Sequence, residues 1–196
     1  VNIMDPRNCT LFLLASFTLS GVAQVIWLKS KCLRQWAIPL DGRRTFRGHR
    51  LLGENKTWRG FMVMVPVAGL AFWGLARCIQ ASHGSLTQAG LWNLSPLSYA
   101  LLGAWSGFGF MAGELPNSFL KRQLGIEPGE MARGPISRWA LFALDRCDSI
   151  LGLLVALSIF VPTTWEIWIG MLFIGAGIHW LFNVVLYLLR VKSRPA

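Results

Sequence analysis

The sequence predicts an all-α integral membrane protein with about five transmembrane helices, and its composition is the first indication. Hydrophobic residues make up 54% of the 196 residues and charged residues only 14%, whereas soluble domains carry about 25% charged residues. A chain with so few charged groups is short of the polar surface that water requires. We therefore expect one membrane-embedded domain that covers residues 1–196.

Apolar runs are the second indication, because five segments approach the roughly 20 residues that a helix needs to cross a bilayer. The candidate spans are residues 11–28, 60–79, 97–113, 139–161 and 165–189. The first is long enough to span and lacks the basic leader and cleavage pattern of a signal peptide, so we expect it to be retained. The third is the shortest, and the fourth carries charges.

The distribution of Lys and Arg is the third indication. Sixteen of the 19 Lys and Arg residues lie in residues 29–59, 114–138 and 190–196, whereas residues 80–96 contain none and the N-terminal stretch contains only Arg7. Cytoplasmic loops are enriched in Lys and Arg, so we expect the N-terminus outside and the C-terminus in the cytoplasm. This bias explains much of the net charge of +10 without nucleic acid. The expected location is multi-pass in the inner (cytoplasmic) membrane, among its lipids.

The cysteines show no metal-binding or disulfide pattern. They are Cys9, Cys32, Cys78 and Cys147, with no CxxC spacing. We expect four buried free thiols.

The basic loop at 29–59 interleaves its charges with glycines, which topology alone does not require. Its second half reads Gly53-Glu54-Asn55-Lys56-Thr57-Trp58-Arg59-Gly60. Glycine lets backbone N–H groups approach a ligand, Lys and Arg suit phosphates, and the N-terminus of the next helix favours anions. It is not a P-loop, because Asn55 rather than glycine precedes Lys56. Phosphate binding and a solvated, lipid-facing loop both remain open.

The fourth span contains charged residues at membrane depth. Asp145 and Asp148 are three residues apart and so share one face of a helix. A charged residue at mid-membrane costs about 2.5–3.5 kcal/mol, and two carboxylates on one face favour a cation near them. Mg²⁺ takes one or two carboxylates and completes its shell with water and substrate phosphates. The alternative is an internal salt bridge from Arg146.

A third polar cluster ends the third span. If the helix continues through Pro116, a single stripe contains Glu114, Ser118, Lys121 and Arg122. Ordinary snorkelling of the two cations to the interface is the alternative, but it leaves Glu114 and Ser118 unexplained. All three polar clusters are expected at the cytoplasmic membrane surface, where they can form one site.

Together these motifs resemble those of the CDP-archaeol synthases, small five-span members of the CTP:phosphatidate cytidylyltransferase superfamily. The family pattern contains P-x-D-x-G, G-[DE]-x-K-T-x-R-G, G-D-x-x-x-S-x-x-K-R and D-x-x-D. The matching positions hold Pro39 and Asp41, Gly53 to Gly60, Gly113-Glu114 with Ser118, Lys121 and Arg122, and Asp145 with Asp148. Glu114 stands where the family usually has Asp, and Gly42 directly follows Asp41, so the first motif matches loosely.

The resemblance implies a nucleotidyltransferase of phospholipid biosynthesis. A lipid phosphate would attack the α-phosphorus of CTP, which gives a CDP-lipid and pyrophosphate. It implies Mg²⁺ held by Glu114, Asp145 and Asp148, with Asp145, Asp148, Lys121 and Arg122 as catalytic residues. The implied CTP- and phosphate-binding residues are Asp41, Asn55, Lys56, Thr57, Arg59, Ser118, Lys121 and Arg122.

Two rival functions belong to other classes. A CDP-alcohol phosphotransferase would continue Asp41-Gly42 as D-G-x-x-A-R, but Arg43-Arg44-Thr45-Phe46 follows. A non-enzymatic transporter or lipid-binding scaffold would release no pyrophosphate from CTP. The lipid is not identified by the sequence. A homodimer is also left open, because five helices are few to enclose a site.

Overall fold

Helices dominate the part of the chain that the computed structural model describes, which is residues 4–30, 34–127 and 135–189. The long helices are α1 (Pro6–Lys29), α2 (Trp58–His83), α3 (Pro96–Gln123) and α4 (Pro135–Ser158). A further continuous helix comprises α5 (Trp165–Gly170), a π-helical turn (Met171–Gly175) and α6 (Ala176–Leu188). The predicted mostly helical fold is therefore observed.

Three of these helices are long and apolar enough to cross a membrane: Pro6–Lys29, Trp58–His83 and Trp165–Leu188. Helices α3 and α4 have 28 and 24 residues, hence roughly 42 and 36 Å at 1.5 Å per residue. They have sufficient length, but they are not among the described helices that are also apolar enough to cross. Five spans stay a prediction.

Helix α3 packs against α2 through two glycines. A Cβ on Gly103 would stand 2.6 Å from the carbonyl oxygen of Ala68, and one on Gly107 would stand 2.8 Å from the Cβ of the same alanine. Small residues four positions apart allow helix backbones to approach closely within a membrane. The backbones of α2 and α3 therefore approach closely at these two glycines.

The opposite face of α3 meets α4 in the same way. Gly109 and Gly113 of α3 lie against Gly152 of α4, and a Cβ on Gly113 would be 2.9 Å from the Cα of Gly152. This contact brings the polar residues that follow Gly113 close to those that precede Gly152. The glycines thus position the functional groups of the two helices.

An apolar core closes the end at which α1 and α3 begin. The rings of Phe12 and Phe72 meet edge to face with centroids 5.2 Å apart, and the Tyr99 ring lies 5.2 Å from that of Phe12. The buried Tyr99 hydroxyl donates to the carbonyl of Trp92 at 2.9 Å. Burial of these rings fixes the end of the bundle away from the basic loop.

The α1–α2 connection contains a short β-hairpin, which the all-α prediction missed. Strand β1 (Thr45–Phe46) pairs antiparallel with β2 (His49–Arg50). Arg47 and Gly48 between them have φ values of 53° and 82°. Two successive positive φ values are typical of the type I′ turn, whose twist matches that of the paired strands.

The expectation of four buried thiols is wrong in two positions. Cys9 is buried, but Cys78 is exposed and Cys147 is partly exposed, and all three are free thiols. Cys78 lies on an outward face of α2, where an apolar bilayer would accommodate a thiol as readily as a protein core does. Cys32 lies outside the described residues.

The glycine contact predicts the effect of one added methyl group. In Gly152→Ala the new Cβ would lie 2.6 Å from the Cα and 2.9 Å from the backbone nitrogen of Gly113, so α3 and α4 must separate. Overpacking of this kind costs about 1–3 kcal/mol, and we expect a lower melting temperature in detergent. Gly74→Ala is the matched control, because no heavy atom lies within 4 Å of its added Cβ. Equal melting temperatures for the two variants would contradict the proposed packing.

Candidate active site

The site is built on the C-terminal third of α3. The helix continues through Pro116 to Gln123, so Glu114, Asn117, Ser118 and Lys121 follow one another at helical spacing on one stripe. The stripe faces α4 on one side and the basic loop on the other, as the contacts below show. The predicted stripe of polar groups is therefore present, with Asn117 as an additional member.

Glu114 connects the basic loop to α4. Its carboxylate forms an ion pair with Lys56 of the loop and accepts a hydrogen bond of 2.8 Å from the Ser149 hydroxyl of α4. The Lys56 and Glu114 side chains are only 18% and 19% exposed. Burial lowers the pKa of Lys56, but the Glu114 carboxylate, with further attraction from Asp148 and Asp145, outweighs burial and raises that pKa overall. Lys56 is therefore charged at neutral pH.

The two aspartates of α4 are held by α3. Lys121 forms an ion pair with both carboxylate oxygens of Asp145. The Asn117 amide nitrogen donates to Asp145 at 2.6 Å and to Asp148 at 2.8 Å. Asp148, which is buried, also accepts a bond of 2.6 Å from the backbone N–H of Ser149. The cation beside Asp145 therefore comes from the neighbouring helix.

Ser118 fastens the loop to α3. Its hydroxyl accepts a hydrogen bond of 3.1 Å from the backbone N–H of Gly53. Gln123, further along the helix, donates to the carbonyl of Arg50 at 3.4 Å. Ser118, in the last turns of α3, therefore contacts the predicted phosphate loop.

Asp41 organises the loop from within. Its carboxylate accepts bonds from the Arg50 guanidinium at 2.9 Å and from the backbone N–H groups of Arg43 at 3.0 Å and Leu52 at 3.2 Å. Burial raises the pKa of Asp41, but the hydrogen bonds from Arg50 and the two N–H groups outweigh burial and lower it overall. These contacts all lie within the loop, and the predicted role toward nucleotide or metal stays a prediction.

Two predicted phosphate ligands make contacts elsewhere. The buried Arg59 donates from Nη2 to the carbonyl oxygens of Trp27 and Ser30, both at 3.0 Å. It thereby satisfies acceptors at the end of α1, where a cation is also favourable to the helix dipole. Arg122 is buried and lies 3.8 Å from the carboxylate of Glu127. The structure does not bring these two guanidinium groups onto the aspartates.

Asn55 and Thr57 lie at the polar end of a cavity of about 290 Å³, together with Lys56 and Glu114. The cavity extends between α1, α2, α3, α4 and the last helix. Its lining there is mainly apolar and includes Leu14, Phe17, Met64, Phe110, Ile150, Leu153, Ile178 and Phe182. A long apolar chamber that ends at charged groups suits an amphiphile with an anionic head.

The oxygen atoms of Asp145, Asp148 and Asn117 are of the chemical type that a hard divalent cation binds. Asp145, Asp148 and Asn117 offer carboxylate and amide oxygens, which are the ligands that Mg²⁺ prefers. The Asn117 amide oxygen is buried and has no hydrogen-bond partner among the described residues. In the same part of the chain no group of three or more His, Cys, Asp or Glu side chains is close enough to hold a metal. Glu114, Asp145 and Asp148 are linked through Asn117 and Ser149 without forming such a group, and their role as metal ligands stays a prediction.

Sequence reasoning missed two residues of this site. Asn117 is at i+3 from Glu114, so extension of the stripe by helical spacing would have found it. Ser149 directly follows Asp148, and its role depends on the close approach of α3 and α4 at Gly113 and Gly152. Only the structure shows that approach.

Comparison with known proteins gives one consistent family. The sequence pattern of the CarS-like family, described as CDP-archaeol synthase, matches residues 17–195. The CDP-archaeol synthase of Methanopyrus kandleri is 32% identical over 85% of this chain and 84% of its own length. That of Archaeoglobus fulgidus is 30% identical over 90% of this chain and 99% of its own. No solved structure matches the chain. With its loop, α3 and α4 motifs in place, the chain belongs to the CDP-archaeol synthase family.

Proposed function

We propose that this protein is a CTP-dependent cytidylyltransferase that converts a lipid phosphate to a CDP-lipid and pyrophosphate. The observation that carries the proposal is a cluster of cations and carboxylates at the polar end of an apolar cavity. Lys56 and Glu114 line that end, and Lys121, Asp145 and Asp148 are joined to them through Asn117 and Ser149. Family membership supports the nucleotidyl transfer.

The reaction forms one phosphorus–oxygen bond and breaks another. An oxygen of the lipid phosphate attacks the α-phosphorus of CTP, and the bond from that phosphorus to the β,γ-pyrophosphate breaks. Pyrophosphate leaves with the bonding electrons, and no covalent bond to the protein is needed. Such transfers depend on positioning and on neutralisation of phosphate charge. Lys56 and Lys121 are placed to supply positive charge.

We assign the phosphates of CTP to the loop side of the site. Asn55, Lys56 and Thr57 lie directly before or at the N-terminus of α2, where a helix favours anions. The Thr57 side chain makes no capping hydrogen bond to α2, which leaves its hydroxyl available to a phosphate oxygen. When CTP is bound, Lys56 can exchange part of its pairing with Glu114 for a phosphate.

Mg²⁺ is the expected cofactor, with Asp145 and Asp148 as its principal protein ligands. A bound Mg²⁺ supplies charge neutralisation to the phosphates of the nucleotide. The protein's own part is to hold the two carboxylates at a fixed separation, and the hydrogen bonds from Asn117 do this. Asp145 retains Lys121 as a neighbour able to contact substrate phosphate.

The cavity accounts for the lipid part of the substrate. Its walls come from α1, α2, α3, α4 and the last helix, and its charged end is shared with the proposed CTP site. A lipid phosphate that enters with its chain among the apolar side chains would present its head group beside Lys56. Burial of apolar chain contributes about 25 cal/mol per Å², which supports binding of a long-chain substrate.

We further propose five spans in the cytoplasmic membrane, with the N-terminus outside. Helices α3 and α4 would complete the five, their polar residues shielded by each other and by the basic loop. We also propose that one copy of the chain contains the whole site. A homodimer could form through the exposed apolar surface of the last helix, which includes Phe173 at 78% exposure.

Cytidylyl transfer is tested directly by measuring its two products, pyrophosphate and the CDP-lipid. Purified protein with CTP, Mg²⁺ and a long-chain lipid phosphate should release pyrophosphate and form a CDP-lipid, with no release from CTP alone. Asp145→Asn and Asp148→Asn should each reduce turnover by about 10²–10³-fold, the loss typical when one group that stabilises transition-state charge is removed. Glu166→Gln, an exposed carboxylate at the start of α5, is the control. No pyrophosphate with any lipid phosphate, or full activity of both Asn variants, would refute the proposal.

The orientation is tested by cysteine labelling in intact cells, with a variant that lacks all four native cysteines. A cysteine placed within residues 84–95 should react with an impermeant maleimide from outside. One placed within residues 43–52 should react only after permeabilisation, because basic loops stay in the cytoplasm. The reverse pattern would overturn both the topology and the cytoplasmic position of the site.

A further inference from the structure

Asn117 lies at the centre of the carboxylate cluster and stands at an unspecified position of the motif G-D-x-x-x-S-x-x-K-R. It is buried, with 5% of its surface exposed. Its amide nitrogen donates one hydrogen to Asp145 at 2.6 Å and the other to Asp148 at 2.8 Å. Ionised carboxylates only accept hydrogen bonds, so the amino group rather than the oxygen must face them. One amide group therefore stands between both aspartates.

The other half of this amide is unsatisfied. The Asn117 oxygen is buried and has no hydrogen-bond partner among the residues that the structure describes. A buried acceptor left in this way costs about 1–3 kcal/mol, and such a group in a native structure calls for an explanation. Rotation of the amide by about half a turn exchanges its oxygen and nitrogen. The oxygen would then lie where the amino group now bridges the carboxylates.

We propose that Asn117 is an amide-oxygen ligand of the divalent cation held by Asp145 and Asp148. In the cation-free protein its amino group takes the place of the cation and separates the two carboxylates. When the cation binds, the amide turns and its oxygen completes a set of three protein ligands. This inference rests on the cation dependence in the proposed function, and it names a ligand at a position that the matched motifs leave unspecified.

Charge and geometry both favour Asn117 over Glu114 as the third ligand. Glu114 is already engaged by the Lys56 ammonium and the Ser149 hydroxyl. Asn117 donates hydrogen bonds to both aspartates. A neutral amide oxygen adds a hard ligand without adding a third negative charge to a partly buried site, where like charges repel strongly. Glu114 keeps its ion pair with Lys56.

The test measures binding of Mn²⁺, which carboxylate and carbonyl oxygens bind as they do Mg²⁺. Free Mn²⁺ is followed by electron paramagnetic resonance with the purified full-length protein in detergent, with and without CTP. Loss of even an outer-sphere partner typically weakens metal binding by about 10–100-fold. We therefore expect Asn117→Ala to raise the Kd for Mn²⁺ at least about tenfold. Asn117→Asp, which keeps an oxygen at the same place, should bind Mn²⁺ at least as tightly as the wild type.

Ser106→Ala is the matched control, because Ser106 is a fully buried polar residue on the same helix and away from the cluster. It should leave the Kd unchanged. If Asn117→Asp binds Mn²⁺ as weakly as Asn117→Ala, or the wild type binds none, the proposal is wrong. An amide that acts only as a hydrogen-bond donor gives the first result, since Asp cannot donate. Because Mn²⁺ binding is read without lipid or turnover, a failure of CTP-dependent activity with the expected binding pattern would reject the proposed function and leave this ligand assignment intact.

Discussion

Buried charged groups must be paired, and this requirement governs the arrangement of α3, α4 and the basic loop. Isolated charges in a low-dielectric region are costly, and here each carboxylate of the cluster has a defined partner. Glu114 pairs with Lys56 and Asp145 with Lys121, while Asp148 accepts from Asn117 and Ser149. The partners come from three different segments, so the pairing also holds the segments together.

Close helix packing makes that pairing geometrically feasible. Gly113 and Gly152 remove side chains from the α3–α4 contact, and the short side chains of Asn117 and Ser149 then reach across it. A wider separation would remove the Asn117 donor from Asp148 and the Ser149 donor from Glu114. The cavity lies beside this contact, with α3 and α4 both in its lining and Glu114 at its polar end, so the apolar chamber and the charged cluster share one border. Stability and the proposed chemistry thus depend on the same contacts.

Sequence reasoning succeeded where the relevant spacing is local. Helical periodicity placed Asp145 beside Asp148 and Glu114 beside Ser118, and apolar runs located the helices. It did not anticipate contacts between distant segments. Arg59 was predicted as a phosphate ligand, but in the structure it binds carbonyl oxygens at the end of α1. The glycines at 42 and 48 have positive φ values and serve turns, which composition alone does not distinguish from a ligand cradle. Asn117 was overlooked because an amide in a helix carries no charge to mark it.

The central claim is that the Lys56–Glu114 ion pair joins the phosphate loop to the carboxylates of the helices as one unit. A double-mutant cycle of Lys56→Met and Glu114→Gln, read by thermal unfolding in detergent, tests it most directly. Breaking one side of a partly buried pair leaves an uncompensated charge and can cost about 3–5 kcal/mol, whereas replacing both partners is often nearly neutral. The account predicts that each single variant is strongly destabilised and that the double variant recovers most of the loss. Strictly additive losses in the double variant would contradict it.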